Sequence, residues 1–256
     1  MQKFDAFILA GGQTPWLKDF YNTEYRCLVP INNKRLIDYI ISSLQDSGSI
    51  RRIVIAASEG AAKQLEGTLP DGVKVCLAAE DLPLTAVNAV KALGTDSTEK
   101  LLGVCDDIPL ITGKEVHDFL RECAKYPEKE LFYPIIPKQI CLKQFPEAKR
   151  TYATLSDGTF TGGNMMFMHK NIISIGQEKA KELFKLRKSP LKLANWLGWS
   201  FIFKAIFHCL SIKNAEERFS KLMQIDSKAI ITNSSSIGMD VDKPADLQLV
   251  NKYLSK

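Results

Sequence analysis

The chain has 256 residues, 45% of them hydrophobic and 25% charged, which excludes disordered and fibrous classes. Thirty-four lysines and arginines against 29 aspartates and glutamates leave a net charge of +5. That mild surplus suits phosphate-bearing ligands, and no run of like charges marks a nucleic-acid partner.

The N-terminus runs directly into a strand-like stretch, Ala6-Phe7-Ile8-Leu9-Ala10. Asp5 and the brevity of the apolar run argue against a secretory signal, so a cytoplasmic protein is expected. Leu9-Ala10-Gly11-Gly12 follows, where paired glycines let the backbone turn sharply and aim its N–H groups at a phosphate. It is neither G-x-G-x-x-G nor a P-loop. Leu36, Ile37, Ile40, Ile41 and Leu44 then recur at helical spacing. Ile53-Val54-Ile55-Ala56, Val73-Lys74-Val75-Cys76-Leu77 and Leu101-Leu102-Gly103-Val104-Cys105 are further strands, and Val116, Phe119 and Leu120 lie on a second helix. Alternating β and α predicts a three-layer α/β/α arrangement, with a mainly parallel Rossmann-like sheet between helices. Ligands of such sheets sit beyond the strands' carboxyl ends. Asp106-Asp107-Ile108-Pro109-Leu110 occupies such an end, while Thr112 is placed to cap the next helix.

The second half is less regular. Leu131–Ile136 and Met165–Met168 read as strands with an Asp157-Gly158 turn between them, and residues 171–223 read as helical, broken at Ser189-Pro190 and near Lys213-Asn214. Thr161-Gly162-Gly163-Asn164 precedes a strand, either as a simple turn or as a close-approach element. Ala229–Thr232 is a last strand, and 244–254 a closing helix. In Asp240-Val241-Asp242 the spacing of two puts both carboxylates on one side of an extended chain, able to share a cation. Asp246 suits the amino end of the last helix better than a metal. We read residues 1–256 as one domain carrying a helical insertion at about 171–223.

The six cysteines lie far apart and the three histidines are isolated, so neither a disulfide framework nor zinc chemistry is expected. Within the insertion, Ser200, Lys204 and His208 form a polar stripe on an otherwise apolar segment, 196–210. Its expected role is a packed helix of the insertion's own core. A homodimer interface or lid, and docking on an anionic membrane surface, are the rival readings.

Leu9-Ala10-Gly11-Gly12, then Arg26-Cys27-Leu28-Val29-Pro30 and Asn33-Lys34-Arg35 before a helix, together with Asp107-Ile108-Pro109-Leu110 and Asp240-Val241-Asp242-Lys243-Pro244-Ala245-Asp246-Leu247, resemble the signature of MobA-like NTP transferases. These are nucleotidyltransferases with the glycosyltransferase-A-like fold. The resemblance implies Leu9, Ala10, Gly11, Gly12 and Arg26 at the nucleotide, with Arg26 in the place of the usual lysine. It implies Mg2+ held by Asp107, Asp240 and Asp242, with Asp106 as the second choice, and catalysis resting on Arg26 and Asp107. Thr85 and Asn88 would contact the base, unless they serve only as helix residues. Gly163 and Asn164 would face the acceptor. Gln13-Thr14-Pro15-Trp16 stands where the family has a glycine and a phosphate-gripping arginine, leaving Lys18 as the nearest cation and its expected substitute at the nucleotide.

The reaction so implied joins a nucleoside triphosphate to a phosphorylated small-molecule acceptor and releases pyrophosphate. A sugar-nucleotide-dependent glycosyltransferase is the alternative on the same fold. A nucleotide-binding regulator of weak activity is the non-enzymatic one.

Overall fold

The computed structural model describes residues 2–175, 177–186 and 209–255. Strand β1 (Phe4–Ala10) sends Ala6, Ile8 and Ala10 into one apolar cluster and Phe7 and Leu9 into another. That is the period-two alternation of a strand covered on both faces. A loop follows, holding a 3-10 turn (Pro15–Leu17), helix α1 (Lys18–Tyr21) and a second turn (Arg26–Leu28). Next comes a short hairpin of β2 (Pro30–Ile31) and β3 (Lys34–Arg35), turned by Asn32 and Asn33 at φ 48° and 65°. Asparagine is among the few residues that tolerate this left-handed turn. Helix α2 (Leu36–Asp46) buries Leu36, Ile37, Ile40, Ile41 and Leu44, the residues whose spacing marked it.

β4 (Ile50–Ala57), α3 (Glu59–Leu65), β5 (Val73–Leu77), α4 (Leu82–Leu93), β6 (Lys100–Cys105) and α5 (Gly113–Cys123) complete the first half. Thr112 caps α5: its Oγ1 accepts from the Glu115 N–H at 3.3 Å, and Glu115 Oε2 accepts from the Thr112 N–H at 2.9 Å. The second half runs through β7 (Leu131–Pro137), α6 (Lys138–Gln144), β8 (Ala153–Leu155), β9 (Gly158–Gly162), β10 (Met165–His169), α7 (Lys170–Ile175) and α8 (Gln177–Leu186). It ends with α9 (Ile212–Met223), β11 (Ser227–Ile231), a 3-10 turn (Ser235–Gly238) and α10 (Pro244–Leu254).

One sheet carries the order β5-β4-β1-β6-β10-β7-β9-β8, with β11 beside β7. β5, β4, β1 and β6 are parallel, whereas β10 lies antiparallel between β6 and β7. The chain leaves β1 for β4 on one side and later returns to β6 on the other, so a topological switch point opens between β1 and β6. Ligands bind at such a point, outside the carboxyl ends. Helices α2 and α5 pack on the β1 face holding Ala6 and Ile8, and α4 on the face holding Phe7, which gives the expected three layers.

Two expectations change. The stretch between β7 and β10 contains a helix and a hairpin, β8–β9, around the anticipated turn. Over 171–223 the described helices are separate, and the break expected near Lys213-Asn214 is the start of α9, capped by Ser211. Residues 187–208, and so most of the 196–210 segment, lie outside the described residues. Among the described residues no helix is long and apolar enough to cross a membrane.

Candidate active site

The carboxyl ends of β1 and β6 stand side by side, the Asp106 N–H donating to the Leu9 carbonyl at 3.3 Å. Beyond β1 the chain turns at Gly11, where a Cβ would come within 2.7 Å of the Ala78 Cβ in the loop after β5. That close approach admits only glycine. Gly12 follows over Arg26: a Cβ on it would stand 3.9 Å from Arg26 Nη2. The remainder of the loop folds back as a strap. Gln13 and Tyr25 bridge at its base, and the Trp16 indole N–H donates to the Asp242 carbonyl at 3.1 Å. Trp16, standing where the resemblance has an arginine, thus ties the strap to the acidic segment near the C-terminus. Lys18 pairs with Glu24 at 2.8 Å on the strap's own surface.

Arg26 is the centre of the site. Its Nε and Nη2 donate to Asp106 Oδ1 at 3.2 and 2.6 Å, and Nη2 also lies 3.1 Å from Asp107 Oδ2. Nη1 donates to Asp242 Oδ1 at 3.3 Å and to the Val241 carbonyl at 3.5 Å. Each guanidinium nitrogen is therefore engaged by the protein. The Asp106 side chain is fully buried, the Asp107 side chain 11% exposed and that of Asp242 62% exposed. Asp106 Oδ2 and Asp107 Oδ1 are buried without a hydrogen-bond partner.

The electrostatics follow from this crowding. Burial opposes the charge of Arg26, but Asp106 and Asp107 outweigh it and hold the guanidinium above its ordinary range. Burial pushes the Asp107 carboxyl up to about 7 against the pull of Arg26, with Asp106, Asp240 and Asp242 adding repulsion. Asp106 is raised by burial as well, with Arg26 opposing.

Asp240 has a different partner. Arg150 donates from Nη1 to Asp240 Oδ1 at 2.8 Å, from Nη2 to the Gly162 carbonyl at 3.1 Å and from Nε to Thr161 Oγ1 at 3.3 Å. The three aspartates expected to share one cation are thus divided between two arginines. Among the described residues no group of three or more His, Cys, Asp or Glu side chains is gathered for a metal. Asp107 and Asp242, held by the same guanidinium, still fit Mg2+. They are hard oxygen donors, Asp107 keeps one unpartnered oxygen, and Mg2+ needs only one or two carboxylates beside phosphates and water. Asp246 acts as anticipated, accepting from the Lys243 N–H at 2.8 Å and the Asp242 N–H at 3.2 Å at the start of α10.

Thr85 and Asn88 are engaged by the chain itself. The buried Thr85 hydroxyl donates to the Asp81 carbonyl at 2.7 Å and accepts from the Ala79 N–H at 3.0 Å, and Asn88 Nδ2 donates to the Leu77 carbonyl at 3.2 Å. Both shape the loop after β5. Gly163 is a packing glycine, since a Cβ would come 2.6 Å from Ile237 Cγ2 and 2.9 Å from Pro134 Cγ. Asn164 lies in the connection from β9 to β10, its carbonyl accepting from the Cys105 N–H at 2.9 Å and its N–H donating to the Ile237 carbonyl at 2.9 Å. Its side-chain Nδ2 is buried without a partner. No sequence signal marks Arg150. It follows Lys149 in an irregular stretch, with no motif to separate the two.

No protein-family model matches the chain, and no curated relative does. Among solved structures, a hypothetical transferase from Thermus thermophilus is 29% identical over 96% of this chain and 100% of its own, with a TM-score of 0.84. A 4-diphosphocytidyl-2C-methyl-D-erythritol synthase from Anaerococcus prevotii is 12% identical over 100% of this chain and 99% of its own, with a TM-score of 0.61. A CMP:2-keto-3-deoxy-manno-octonic acid synthetase complexed with CTP is 13% identical over 99% of each chain, with a TM-score of 0.58.

Proposed function

We propose that this chain, an NTP-transferase-type enzyme with the nucleotide-diphospho-sugar transferase fold, joins a nucleoside triphosphate to a phosphorylated small-molecule acceptor with Mg2+. The observation that carries this reading is the Arg26–Asp106–Asp107–Asp242 cluster beneath the Gly11-Gly12 loop, at the switch point of the sheet.

An acceptor phosphate oxygen would attack the α-phosphorus, the bond from that phosphorus to the bridging oxygen would break, and pyrophosphate would leave. The attacking group is already an anion, so no general base is required and catalysis reduces to positioning and charge neutralisation. Gly11 and Gly12 bring backbone N–H groups to the phosphates. Arg26 supplies a fixed positive charge beside them. Asp107 and Asp242 would hold Mg2+, which when bound neutralises the triphosphate. On the acceptor side, Asn164 offers an amide donor that the protein leaves unpaired.

A nucleotide-binding protein of weak activity is the second reading. It is favoured by Trp16 in the place of the loop arginine and by the full engagement of Arg26. Incubation of the protein and Mg2+ with each nucleoside triphosphate and a panel of sugar and polyol phosphates separates the readings. Pyrophosphate with a nucleoside-diphosphate-linked product is the expected result. Free nucleoside diphosphate from a sugar-nucleotide donor would mean glycosyl transfer, and no product with retained nucleotide binding would favour the second reading.

A further inference from the structure

The two edges of the Arg26 guanidinium are held unequally. The inner edge, Nε and Nη2, sits on Asp106 Oδ1 at 3.2 and 2.6 Å, a carboxylate wholly removed from water. An ionised carboxylate there without its arginine would be left uncompensated in a low-dielectric interior, so this contact is the durable one. The outer nitrogen, Nη1, reaches Asp242 and the Val241 carbonyl at 3.3 and 3.5 Å, and the Asp242 side chain is 62% exposed. Pairs so exposed and so long contribute little.

Asp107 and Asp242 are also the two carboxylates that a cation at this site would use. In this structure both lie against Arg26, and no oxygen-ligand group of three is formed among the described residues. A guanidinium and a divalent cation cannot occupy the same carboxylate oxygens. Asp107 Oδ1, buried without a partner, is the oxygen through which a cation can begin to compete.

Resting on the nucleotidyltransferase reading, we propose that Arg26 and the divalent cation are alternative partners of Asp107 and Asp242, with Asp106 the positioning residue on which Arg26 changes partners. The inner edge keeps its bonds to Asp106, while Nη1 gives up Asp242 and the second N–H of Nη2 gives up Asp107, both then free for the triphosphate carried in the Gly11-Gly12 loop. The 3.9 Å between a Cβ on Gly12 and Arg26 Nη2 sets the guanidinium directly beneath that loop. This exchange needs two separated donor edges on one rigid plane, which arginine has and a lysine ammonium lacks. Cation and triphosphate therefore bind together, and the cation alone binds weakly.

The test measures Mn2+ binding to the full chain without nucleotide, by electron paramagnetic resonance, for the wild type and Arg26→Lys. Lysine keeps the charge but cannot hold Asp106, Asp107 and Asp242 at once, so Arg26→Lys should bind Mn2+ roughly tenfold more tightly. Equal or weaker binding would overturn the exchange, because a mere field effect of the charge predicts no change. The second measurement is made on the wild type and needs no variant. On saturation with Mg2+ and a bound triphosphate, the Arg26 Nε–H resonance should keep its position while the Nη resonances move. Unmoved Nη resonances would also overturn the proposal. In Asp106→Asn the Nε–H resonance should shift already in the free protein, and triphosphate affinity in Mg2+ should fall. A merely structural Asp106 would leave the triphosphate affinity unchanged once folding is confirmed by melting. Should no triphosphate bind the wild type, the nucleotidyltransferase reading fails while the Mn2+ comparison still judges the competition.

Discussion

Arg26 is more deeply built in than a phosphate-facing loop residue has to be. The structure places its side chain at 15% exposure against a fully buried Asp106. Arg26→Ala should therefore cost stability as well as triphosphate binding, about 3 kcal/mol by analogy with other broken buried pairs. Urea unfolding measures it, and a change under about 0.5 kcal/mol, the range of ordinary surface substitutions, would contradict the burial argument. Another buried carboxylate lies at the opposite end of the sheet. Asp5, at the start of β1, accepts from Arg51 Nε at 2.7 Å, from Arg52 Nη2 at 2.9 Å and from the Thr98 N–H at 3.0 Å. Burial alone would raise its carboxyl, but the two arginines and Thr98 hold it down at about 2, against 3.8 for the free group. A carboxyl lowered on folding stabilises the native state above its unfolded value and loses that contribution as the pH falls from about 4 to about 2. The arginines are partly solvated, which keeps the contribution on the order of 2 kcal/mol. Asp5→Asn should lower stability by that amount at pH 7 and by almost nothing at pH 2, as read from urea midpoints. An equal loss at both pH values would show that the charge is not the cause.

The elements that declared themselves in the sequence are those whose burial is periodic. β1, β4, β5 and β6 carry short apolar runs because helices cover both faces of the sheet, and α2 shows its buried stripe directly. Hairpin β2–β3 was hidden because two-residue strands carry no pattern, and its Asn32-Asn33 turn lies inside the segment that resembles a helix start. Hairpin β8–β9 was hidden for a related reason, since Ala153 and Thr154 are exposed and leave no alternation to read. Thr112 was legible as a cap, and Thr112→Ala should cost about 1 kcal/mol with no effect on nucleotide binding. Gly163, expected to face the acceptor, is also packed closely by its neighbours. Gly163→Ala would drive a methyl into Ile237 and Pro134, where overpacking typically costs about 1–3 kcal/mol. Because the 3-10 turn at Ser235–Gly238 leads straight to Asp240 and Asp242, that variant should also weaken triphosphate binding in Mg2+. Calorimetry showing full affinity in a destabilised protein would separate the turn from the site.

For the whole molecule, the ends of the chain meet at one place, and this is why motifs far apart in sequence were informative together. Gly11, Gly12 and Arg26 come from the beginning, Asp106 and Asp107 from the middle and Asp242 from the end, all at the carboxyl side of β1 and β6. Their gathering was legible. Their pairing was not, because spacing along a strand reveals which residues share a face but not which arginine will reach them. Arg150 on Asp240 and Trp16 on the Asp242 carbonyl are contacts between segments 90 and 226 residues apart. Nucleotide recognition is tested most directly by the melting temperature of the wild-type protein with each nucleoside triphosphate and Mg2+, beside the nucleoside-diphosphate sugars. A ligand at a hundredfold excess over its dissociation constant adds about 2.7 kcal/mol, on the order of 5 °C for a domain of this size. That rise is expected for at least one triphosphate, larger with Mg2+ than with chelator and larger than for any nucleoside-diphosphate sugar. No rise with any triphosphate, or a larger rise with a nucleoside-diphosphate sugar, would contradict that expectation.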